Sequence, residues 1–307
     1  MSRAAWIRLV LLAGIWGCSF LFIKVALEAM APAQVVLGRM VFGALVLLVV
    51  MAARRQPLPR QPGVWGHFLA VSLFGNVLPF LLFAWGEQRI SSSRAGVLNA
   101  TTPLCTLLCA ILLLPDERPT ANRIAGLIIG FAGVILLVAP WSDASDADLA
   151  GQIACLVAAA CYGVSFTYTR RFLSVIDLPA GVLAAGQLAA GAAVLLVASP
   201  FVASQPVHLT WRASLSVLAL GALGTGIAYL IFHGLVRDAG ATSASMVTYL
   251  IPVTAVILGV VVLGESVSWN LFAGAAVIIV GVALAENRLR IDSVQAALRR
   301  ATMLRRM

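Results

Sequence analysis

Charged side chains that could take part in chemistry are scarce in the apolar segments of this chain. Lys24 and Arg39 are the cations within those segments, while Glu87, Glu117 and Glu265 fall at segment ends. A carrier that exchanges protons for cationic solutes needs a carboxylate near the middle of the membrane, and this sequence has none there. We therefore predict a neutral interior. Lys24 and Arg39 are predicted to form an outer gate or anchor, with direct solute contact by Arg39 as the alternative.

Aromatic and small polar side chains near the segment centres are better candidates for binding a solute. Trp16 and Tyr162 lie near such centres, although both residue types usually prefer the membrane interfaces. The residues predicted to line a binding site are Trp16, Ser19, Asn76, Phe80, Phe83, Asn99, Thr102, Tyr162, Ser165, Phe166, Tyr229 and Tyr249. The alternative is that the aromatic residues only pack and that the hydroxyl and amide groups bond to their own helix backbones.

Prolines within the apolar segments are predicted to act as hinges. A proline inside a helix frees a backbone carbonyl on the preceding turn and allows a kink. The predicted hinges are Pro79, Pro103 and Pro252.

Patterns typical of enzymes and metal sites are weak in this sequence. Gly163 and Ser165 resemble half of an intramembrane serine protease site, but His233 lies much closer to one membrane surface. Cys105 and Cys109 share a helix face, yet neither a His nor a carboxylate accompanies them as a metal ligand. We predict no enzyme activity, no cofactor and no metal, and we interpret the cysteines as small packing residues.

Membrane-spanning helices are needed to position all of these residues. The chain is 61% hydrophobic and only 11% charged, whereas soluble domains carry about 25% charged residues. A helix needs about 20 mostly apolar residues to cross the hydrocarbon core. The apolar runs predict an all-α membrane protein of ten transmembrane helices, at residues 6–27, 33–52, 65–86, 93–114, 121–139, 150–170, 178–198, 213–236, 242–263 and 268–286.

The arginines of the connections predict how the helices are oriented. With a cytoplasmic N-terminus, most of them fall on the inside and only Arg89, Arg94 and Arg212 fall on the outside. We predict a multi-pass protein of the bacterial inner membrane with both termini cytoplasmic. The net charge of +9 suits contact with anionic lipid headgroups. A nucleic-acid partner is not predicted, because the sequence shows no basic stripe on a soluble scaffold.

An internal repeat divides the chain into halves. Residues 14–24 read GIWGCSFLFIK, and residues 160–170 read ACYGVSFTYTR. Further matches at a nearly constant offset are Gly38 with Gly186, Gly43 with Gly191, Pro103 with Pro252, Glu117 with Glu265, Gly126 with Gly274 and Gly133 with Gly281. Each half holds an odd number of helices, so the second half enters the membrane from the opposite side. We predict a five-helix repeat over 1–145, its inverted copy over 146–287, a basic cytoplasmic tail over 288–307, and a central cavity between the halves.

Three stretches carry a resemblance to a known family. They are WGCSFLFIK from Trp16 to Lys24, the Gly38-Arg39 pair, and the stretch from Pro252 to the Leu-Gly-Glu that ends at Glu265. Their order, spacing and duplication resemble the drug/metabolite transporter superfamily, in its EamA-type branch of ten-helix transporters. The first half departs from the pattern, with Pro-Asp in place of Leu-Gly before Glu117. The resemblance implies a transporter of small metabolites, often an exporter, and within the branch the chain is similar to bacterial exporters of aromatic and other amino acids.

The predicted function combines this resemblance with the scarcity of charge. We expect export of amino acids, aromatic or broadly neutral, by alternating access and without ion coupling, because downhill transport needs no titratable group. The alternatives are a proton-coupled exporter of drugs or other metabolites and a channel, whereas a nucleotide-sugar carrier would need more cations for phosphate. The expected partners are a small-molecule substrate and membrane lipids, with the protein acting as a monomer.

Overall fold

The regular structure of this chain is helical wherever the structure describes it. The computed structural model describes residues 2–114, 120–139, 146–176, 178–208, 210–240, 244–286 and 288–289. Within these residues, 8 helical segments are long and apolar enough to cross a membrane. They are α1 (Arg3–Ala26), α2 (Pro32–Ala53), α3 (Pro62–Glu87), α4 (Ser92–Leu113), α5 (Ala121–Val138), α6 (Asp148–Leu173), α7 (Ala180–Val202) and α8 (Trp211–Ala239).

Two shorter apolar helices complete the bundle. They are α9 (Val247–Leu263) and α10 (Trp269–Ala285), each of 17 residues. Every predicted span therefore has a helical segment at its position. The crossing of the membrane by all ten segments stays a prediction. Of the predicted basic tail, residues 290–307 lie outside the described residues, as does Glu117.

Local sequence explains where several helices begin. The side-chain oxygens of Ser2, Ser91 and Thr210 accept hydrogen bonds from the first free backbone amides of α1, α4 and α8. Such caps satisfy donors that have no partner within the helix. Pro32 and Pro62 occupy first-turn positions of α2 and α3, where a missing amide proton has no cost.

Four of the segments are irregular near their centres or ends. Wide π-helical turns occur at Leu73–Val77 in α3, Thr169–Leu173 in α6 and Ala219–Ile227 in α8. In α4, regular helix stops at Asn99 and resumes at Thr102. Such interruptions redirect side chains and commonly occur at functional sites.

The predicted hinge prolines behave differently from one another. Pro79 is the second residue after the π-helical turn of α3, and Pro103 is the second residue of the helix that resumes after the interruption of α4. Pro252 lies inside α9, which continues through it without an interruption. Two of the predicted hinges thus adjoin irregular backbone and the third does not.

Matched glycines make matched contacts between the two halves. A methyl group on Gly43 of α2 would press on Thr225 of α8, and one on Gly191 of α7 would press on Ser72 of α3. Likewise, Gly17 of α1 faces α9 and Gly163 of α6 faces α4. Because each of these contacts has its counterpart under exchange of the halves, the helices approach one another in equivalent pairs.

The closest helix packing joins α5 to α10. Cβ atoms on Gly126 and Gly133 of α5 would collide with backbone atoms of α10, and one on Gly281 would collide with backbone atoms of α5. Small residues allow membrane helices to approach to backbone contact. The paired glycines of α5 and α10 thus form a smooth packing stripe on each helix.

Contacts between the connecting segments show which of them lie at the same end of the bundle. At one end, Glu28 after α1 lies 3.9 Å from Arg212 at the start of α8, and Glu265 after α9 bonds to the start of α4. At the opposite end, Arg8 near the start of α1 pairs with Asp238 at the end of α8. We call these the outer and the inner end, following the orientation predicted from the arginines, which stays a prediction.

Glu265 joins the two halves at the outer end. Its carboxylate accepts hydrogen bonds from the backbone amides of Ser92 at 2.7 Å and Ser93 at 3.0 Å, and from the Ser93 hydroxyl at 2.6 Å. Partial burial raises the pKa of the Glu265 carboxyl, but these hydrogen bonds outweigh burial and hold the pKa below its ordinary value. A negative charge at a helix N-terminus is also favoured by the helix dipole.

We expect the Glu265→Gln variant to be about 1–2 kcal/mol less stable than the wild type near neutral pH, because a charged acceptor is lost. The pKa is lowered in the folded protein, so the ionised carboxylate stabilises the fold above its ordinary pKa of 4.5 and this contribution disappears as the pH falls through the folded-state value. The difference between variant and wild type should therefore shrink on acidification. Thermal unfolding in detergent at several pH values measures it.

Glu28→Gln is the control, because the Glu28 side chain is 56% exposed and its charged partner is 3.9 Å away. Equal stability of Glu265→Gln and the wild type at neutral pH would contradict the assigned role.

Candidate functional site

The interior of the outer half contains a buried arginine on α2. Arg39 is only 8% exposed, and its Nε donates a hydrogen bond of 3.0 Å to the Thr225 hydroxyl of α8. Its guanidinium carbon lies 3.6 Å from the ring centroid of Phe80 on α3. Cation–π contacts of this kind strengthen when water is excluded.

The backbone of α8 explains why Arg39 meets Thr225. Thr225 lies in the π-helical turn, and its hydroxyl donates to the carbonyl of Leu220, five residues earlier, at 3.0 Å. That hydroxyl is therefore oriented to accept from Arg39. Gly221 and Gly43 have no side chains, which lets the backbones of α2 and α8 approach closely at this level.

A second polar group lies beside the first. Asn76, in the π-helical turn of α3, is fully buried and donates from Nδ2 to the Tyr229 hydroxyl of α8 at 3.1 Å. Its carbonyl oxygen Oδ1 has no hydrogen-bond partner among the described residues. Gln187 of α7 is 6% exposed and lies beside the same Tyr229 hydroxyl. Arg39 interacts electrostatically with Tyr229 as well.

Aromatic rings form the adjoining wall. The Trp16 indole donates to the Gly224 carbonyl at 3.2 Å, and its ring centroid lies 5.6 Å from that of Phe232. Tyr162 stacks against Phe83 with centroids 6.2 Å apart. The rings of α1 and α8 thus face the interior together with those of α3 and α6.

The aromatic rings of this wall keep some accessible surface. Tyr162 and Tyr229 are only partly buried. Trp16 and Phe232 are also only partly buried, although they pack against the core. Rings that pack against the core and still keep accessible surface can contact a small molecule, as a binding site requires.

The structure adds a buried carboxylate that the sequence interpretation did not include. Glu87 lies at the end of α3, as predicted, but it is 0% exposed, and neither carboxylate oxygen has a hydrogen-bond partner among the described residues. It interacts electrostatically with Lys24 and Arg39. The structure therefore adds an ionisable group to the interior that was predicted to be neutral, because a residue at a helix end can still lie inside the bundle.

Lys24 of α1 bonds to backbone carbonyls at and beyond the end of α3, and its predicted role as gate or anchor stays a prediction. Its ammonium group donates to the backbone carbonyl of Glu87 and, at 2.8 Å, to that of Ile90. These carbonyls are the unsatisfied acceptors at the end of α3, where a positive charge is favoured. Lys24 therefore ties α1 to the end of α3 at the outer end of the bundle.

Several predicted site residues use their hydrogen bonds locally. Ser19 donates to the Ile15 carbonyl at 3.2 Å and Thr102 to the Asn99 carbonyl at 2.8 Å, both within their own segments. Ser165 donates across to the Val71 carbonyl of α3 at 3.2 Å. Their predicted role in binding a solute stays a prediction.

Two predicted residues lie apart from the central group. Tyr249, near the start of α9, donates to the Glu286 carboxylate at 3.0 Å and so stands at the inner end of the bundle. Phe166 stacks near Tyr162, with centroids 6.4 Å apart, but is 53% exposed. The structure brings together Trp16, Asn76, Phe80, Phe83, Tyr162 and Tyr229, with Arg39 beside them.

Sequence signals for the missed residues exist. Gln187 follows Gly186 as Arg39 follows Gly38, so the repeat itself points to it. Glu87 comes four residues after Phe83 and seven after Phe80, which puts it on the same helix face as both rings.

A groove on the periphery of the bundle is separate from this interior group of side chains. It has a volume of about 590 Å³ and is lined by α1, α8 and α9 residues that include Leu21, Phe22, Leu215 and Leu223. Its lining is almost wholly apolar, as expected of a surface that faces lipid chains.

Comparison with known proteins identifies the family. The model of the EamA-like transporter family matches residues 4–139 and 149–286, which is one match in each half. This chain belongs to the EamA-like transporter family. It is a multi-pass membrane transporter of the drug/metabolite transporter superfamily, and its family indicates a transporter of small molecules and not an enzyme.

Relatives of this EamA-like transporter are similar over most of their length. An uncharacterized transporter, YoaV of Bacillus subtilis, is 26% identical over 87% of this chain and 91% of its own. The uncharacterized inner membrane transporter YedA of Escherichia coli is 29% identical over 88% and 86%, and the protein PagO of Salmonella typhimurium is 25% identical over 88% of each. A protein of known crystal structure shares the fold, with a TM-score of 0.65 at 24% identity over 93% of this chain and 97% of that one.

Proposed function

We propose that this EamA-like transporter exports amino acids, aromatic or broadly neutral, across the bacterial inner membrane by alternating access. The observation that carries the proposal is the group of interior aromatic side chains Trp16, Phe83, Tyr162 and Phe232, of which all but Phe83 keep exposed surface. Aromatic walls accept an apolar side chain, and a small number of polar groups fix the orientation of a ligand. The neighbouring Arg39 and Asn76 supply such polar groups.

The proposal includes two inverted five-helix repeats that enclose the site. Its support is the set of matched contacts: α2 packs on α8 through Gly43 and Thr225 as α7 packs on α3 through Gly191 and Ser72. In such transporters the solute binds near the midplane where the repeats meet. Regions 1–145 and 146–287 would then rock against each other, with α5 and α10 as the close-packed support.

The proposed location and orientation rest on charge and on a relative. YedA is described as an inner membrane transporter, and the arginine-rich connections of this chain favour a cytoplasmic position for both termini. Contacts that gather alternate connections at opposite ends of the bundle agree with that orientation.

Two other mechanisms remain as alternatives. A proton-coupled exporter of drugs or other metabolites would use a carboxylate that exchanges a proton for a cation, and Glu87 is the buried carboxylate available for it. A channel would conduct through a space gated at one end only. We favour an uncoupled carrier, because a neutral solute moving down its gradient needs no titratable group.

We expect proteoliposomes containing the purified protein to show counterflow of phenylalanine. Vesicles loaded with unlabelled phenylalanine should transiently accumulate the labelled solute to several times the level of unloaded vesicles, because the unlabelled solute inside competes for the site of the carrier and slows the exit of the labelled solute. An imposed pH gradient should leave the steady level unchanged. Radiolabelled uptake, with a panel of other amino acids as internal competitors, measures this.

Accumulation that depends on a proton gradient would favour the coupled exporter. Uptake without saturation or counterflow would favour a channel, and no uptake of any amino acid would contradict the proposed substrate class.

A further inference from the structure

Two buried ionisable side chains of opposite charge type lie in the interior of the outer half without a direct ion pair among the described residues. Within that part of the chain, the Arg39 guanidinium bonds to a neutral hydroxyl and stacks on Phe80. Both oxygens of the fully buried Glu87 carboxylate have no hydrogen-bond partner among the described residues. Buried charges of this kind are costly unless something pairs with them, so their presence together needs an explanation.

The fold itself does not require charge at these positions. By the repeat, Arg39 corresponds to Gln187, and both follow a glycine that faces the other half. Phe80 and Phe83 correspond to Tyr229 and Phe232, and the same alignment pairs Glu87 with an apolar residue, Val236. Equivalent helix packing is therefore achieved with neutral side chains in the second half, which argues against a purely structural role for the charges in the first.

The spacing of the two charges suits a small zwitterion. The Arg39 guanidinium lies over the ring of Phe80, and Glu87 is seven residues further along the same face of α3, a rise of about 10 Å. Phe83 lies between them on that face, and its ring stacks against the ring of Tyr162. An α-amino acid with a charge-assisted hydrogen bond of about 2.8 Å at each end would span such a distance.

We propose that Arg39 and Glu87 are the two poles of a site for the zwitterionic head of an α-amino acid. The guanidinium of Arg39 binds the carboxylate of the solute, and the carboxylate of Glu87 binds its ammonium group. The side chain of the solute then lies against Phe83 and Tyr162. The inference rests on the proposed function and assigns the substrate class, namely solutes that carry both charges on one carbon.

The charge balance of the site agrees with uncoupled transport. With Glu87 ionised, as it is when it binds an ammonium group, Lys24, Arg39 and Glu87 together carry one net positive charge, and Lys24 is held by backbone carbonyls outside the pair. A zwitterion adds no net charge, so the total is the same with the site empty or filled. Each charge of the site gains a charge-assisted hydrogen bond on binding.

The experiment compares phenylalanine with two analogues that each lack one charge. Phenylethylamine lacks the carboxylate, and 3-phenylpropionate lacks the ammonium group. Inhibition of labelled phenylalanine counterflow is measured in proteoliposomes for the wild type, Arg39→Gln and Glu87→Gln. In the wild type we expect both analogues to inhibit at least tenfold more weakly than phenylalanine.

Each variant should lose recognition of one charge of the solute and keep recognition of the other. Arg39→Gln, which copies the residue found at Gln187, should bind phenylalanine at least tenfold more weakly yet bind phenylethylamine as the wild type does. Glu87→Gln should lose affinity for phenylalanine and keep the wild-type response to 3-phenylpropionate. Arg212→Gln and Glu28→Gln, which alter an exposed pair at the same end of the bundle, are the matched controls and should change none of these affinities.

Several outcomes would overturn the proposal. One is that either analogue inhibits the wild type as strongly as phenylalanine does. Another is that a variant loses affinity for all three compounds alike. The wild-type comparison decides the matter even if a variant fails to fold. Absence of counterflow for every amino acid would instead overturn the proposed function itself, and this inference with it.

Discussion

The Gly281→Ala variant is expected to lose much of the stability of the folded transporter. A Cβ atom at this position would overlap the backbone of Gly130 and lie 2.8 Å from the carbonyl oxygen of Gly126. Backbone atoms of α5 cannot move aside as a flexible side chain can. We expect a loss of about 1–3 kcal/mol or more, the usual cost of overpacking. The temperature of unfolding in detergent and the yield of monodisperse protein measure it.

Helix propensity alone predicts that Gly281→Ala is stabilising, so a loss of stability would report on the packing of α5 against α10. Alanine is favoured over glycine inside a helix by about 1 kcal/mol. Gly14→Ala on α1 is the matched control, because a methyl group there meets no atom within 4 Å, and it should be neutral or stabilising. An unfolding temperature of Gly281→Ala equal to that of the wild type would mean that α5 and α10 do not pack as described.

Replacing Trp16 or Tyr162 by alanine is expected to reduce transport at least tenfold with little loss of folded protein. Trp16 contacts Phe232 and donates to the Gly224 carbonyl, while Tyr162 stacks on Phe83. Ring contacts of this type contribute about 0.5–1.5 kcal/mol each beyond the area that they bury. A loss of about 1.4 kcal/mol of binding free energy corresponds to a factor of ten. Initial rates of phenylalanine counterflow measure the effect.

Trp6→Ala is the matched control for Trp16→Ala. Trp6 lies on the same helix and is 48% exposed, so its removal should leave transport unchanged. Trp16→Phe separates packing from hydrogen bonding, since it keeps a ring beside Phe232 but cannot donate to Gly224. Transport at the wild-type rate by both alanine variants would remove these residues from the pathway.

The sequence alone was sufficient for the placement of the helical segments and for the family. Apolar runs locate membrane helices because lipid, unlike water, leaves the backbone no partner except itself, so the signal is local. The glycine stripe of Gly126, Gly133, Gly274 and Gly281 was also predictable, since close helix packing needs small residues at helical spacing whatever the neighbouring helix is.

The tertiary structure decided which side chains meet. The position of Glu87 along α3 predicts its depth, but its burial depends on the helices that surround that end. The partner of Arg39 depends on a π-helical turn in α8, whose irregular backbone aims Thr225 at α2. Tyr249 was predicted to join the central group, yet its hydroxyl bonds to Glu286 at the inner end of the bundle.

The division between what the sequence predicts and what the packed structure decides has a physical reason. Hydropathy and the repeat are properties of each segment, so the sequence by itself determined the membrane class, the helical segments and the duplicated halves to be expected. Whether a polar group is satisfied depends on atoms from several segments at distances near 3 Å. Only the packed bundle could therefore decide that Arg39 and Glu87 lie buried beside a group of aromatic rings, with no hydrogen-bond partner for the Glu87 oxygens among the described residues.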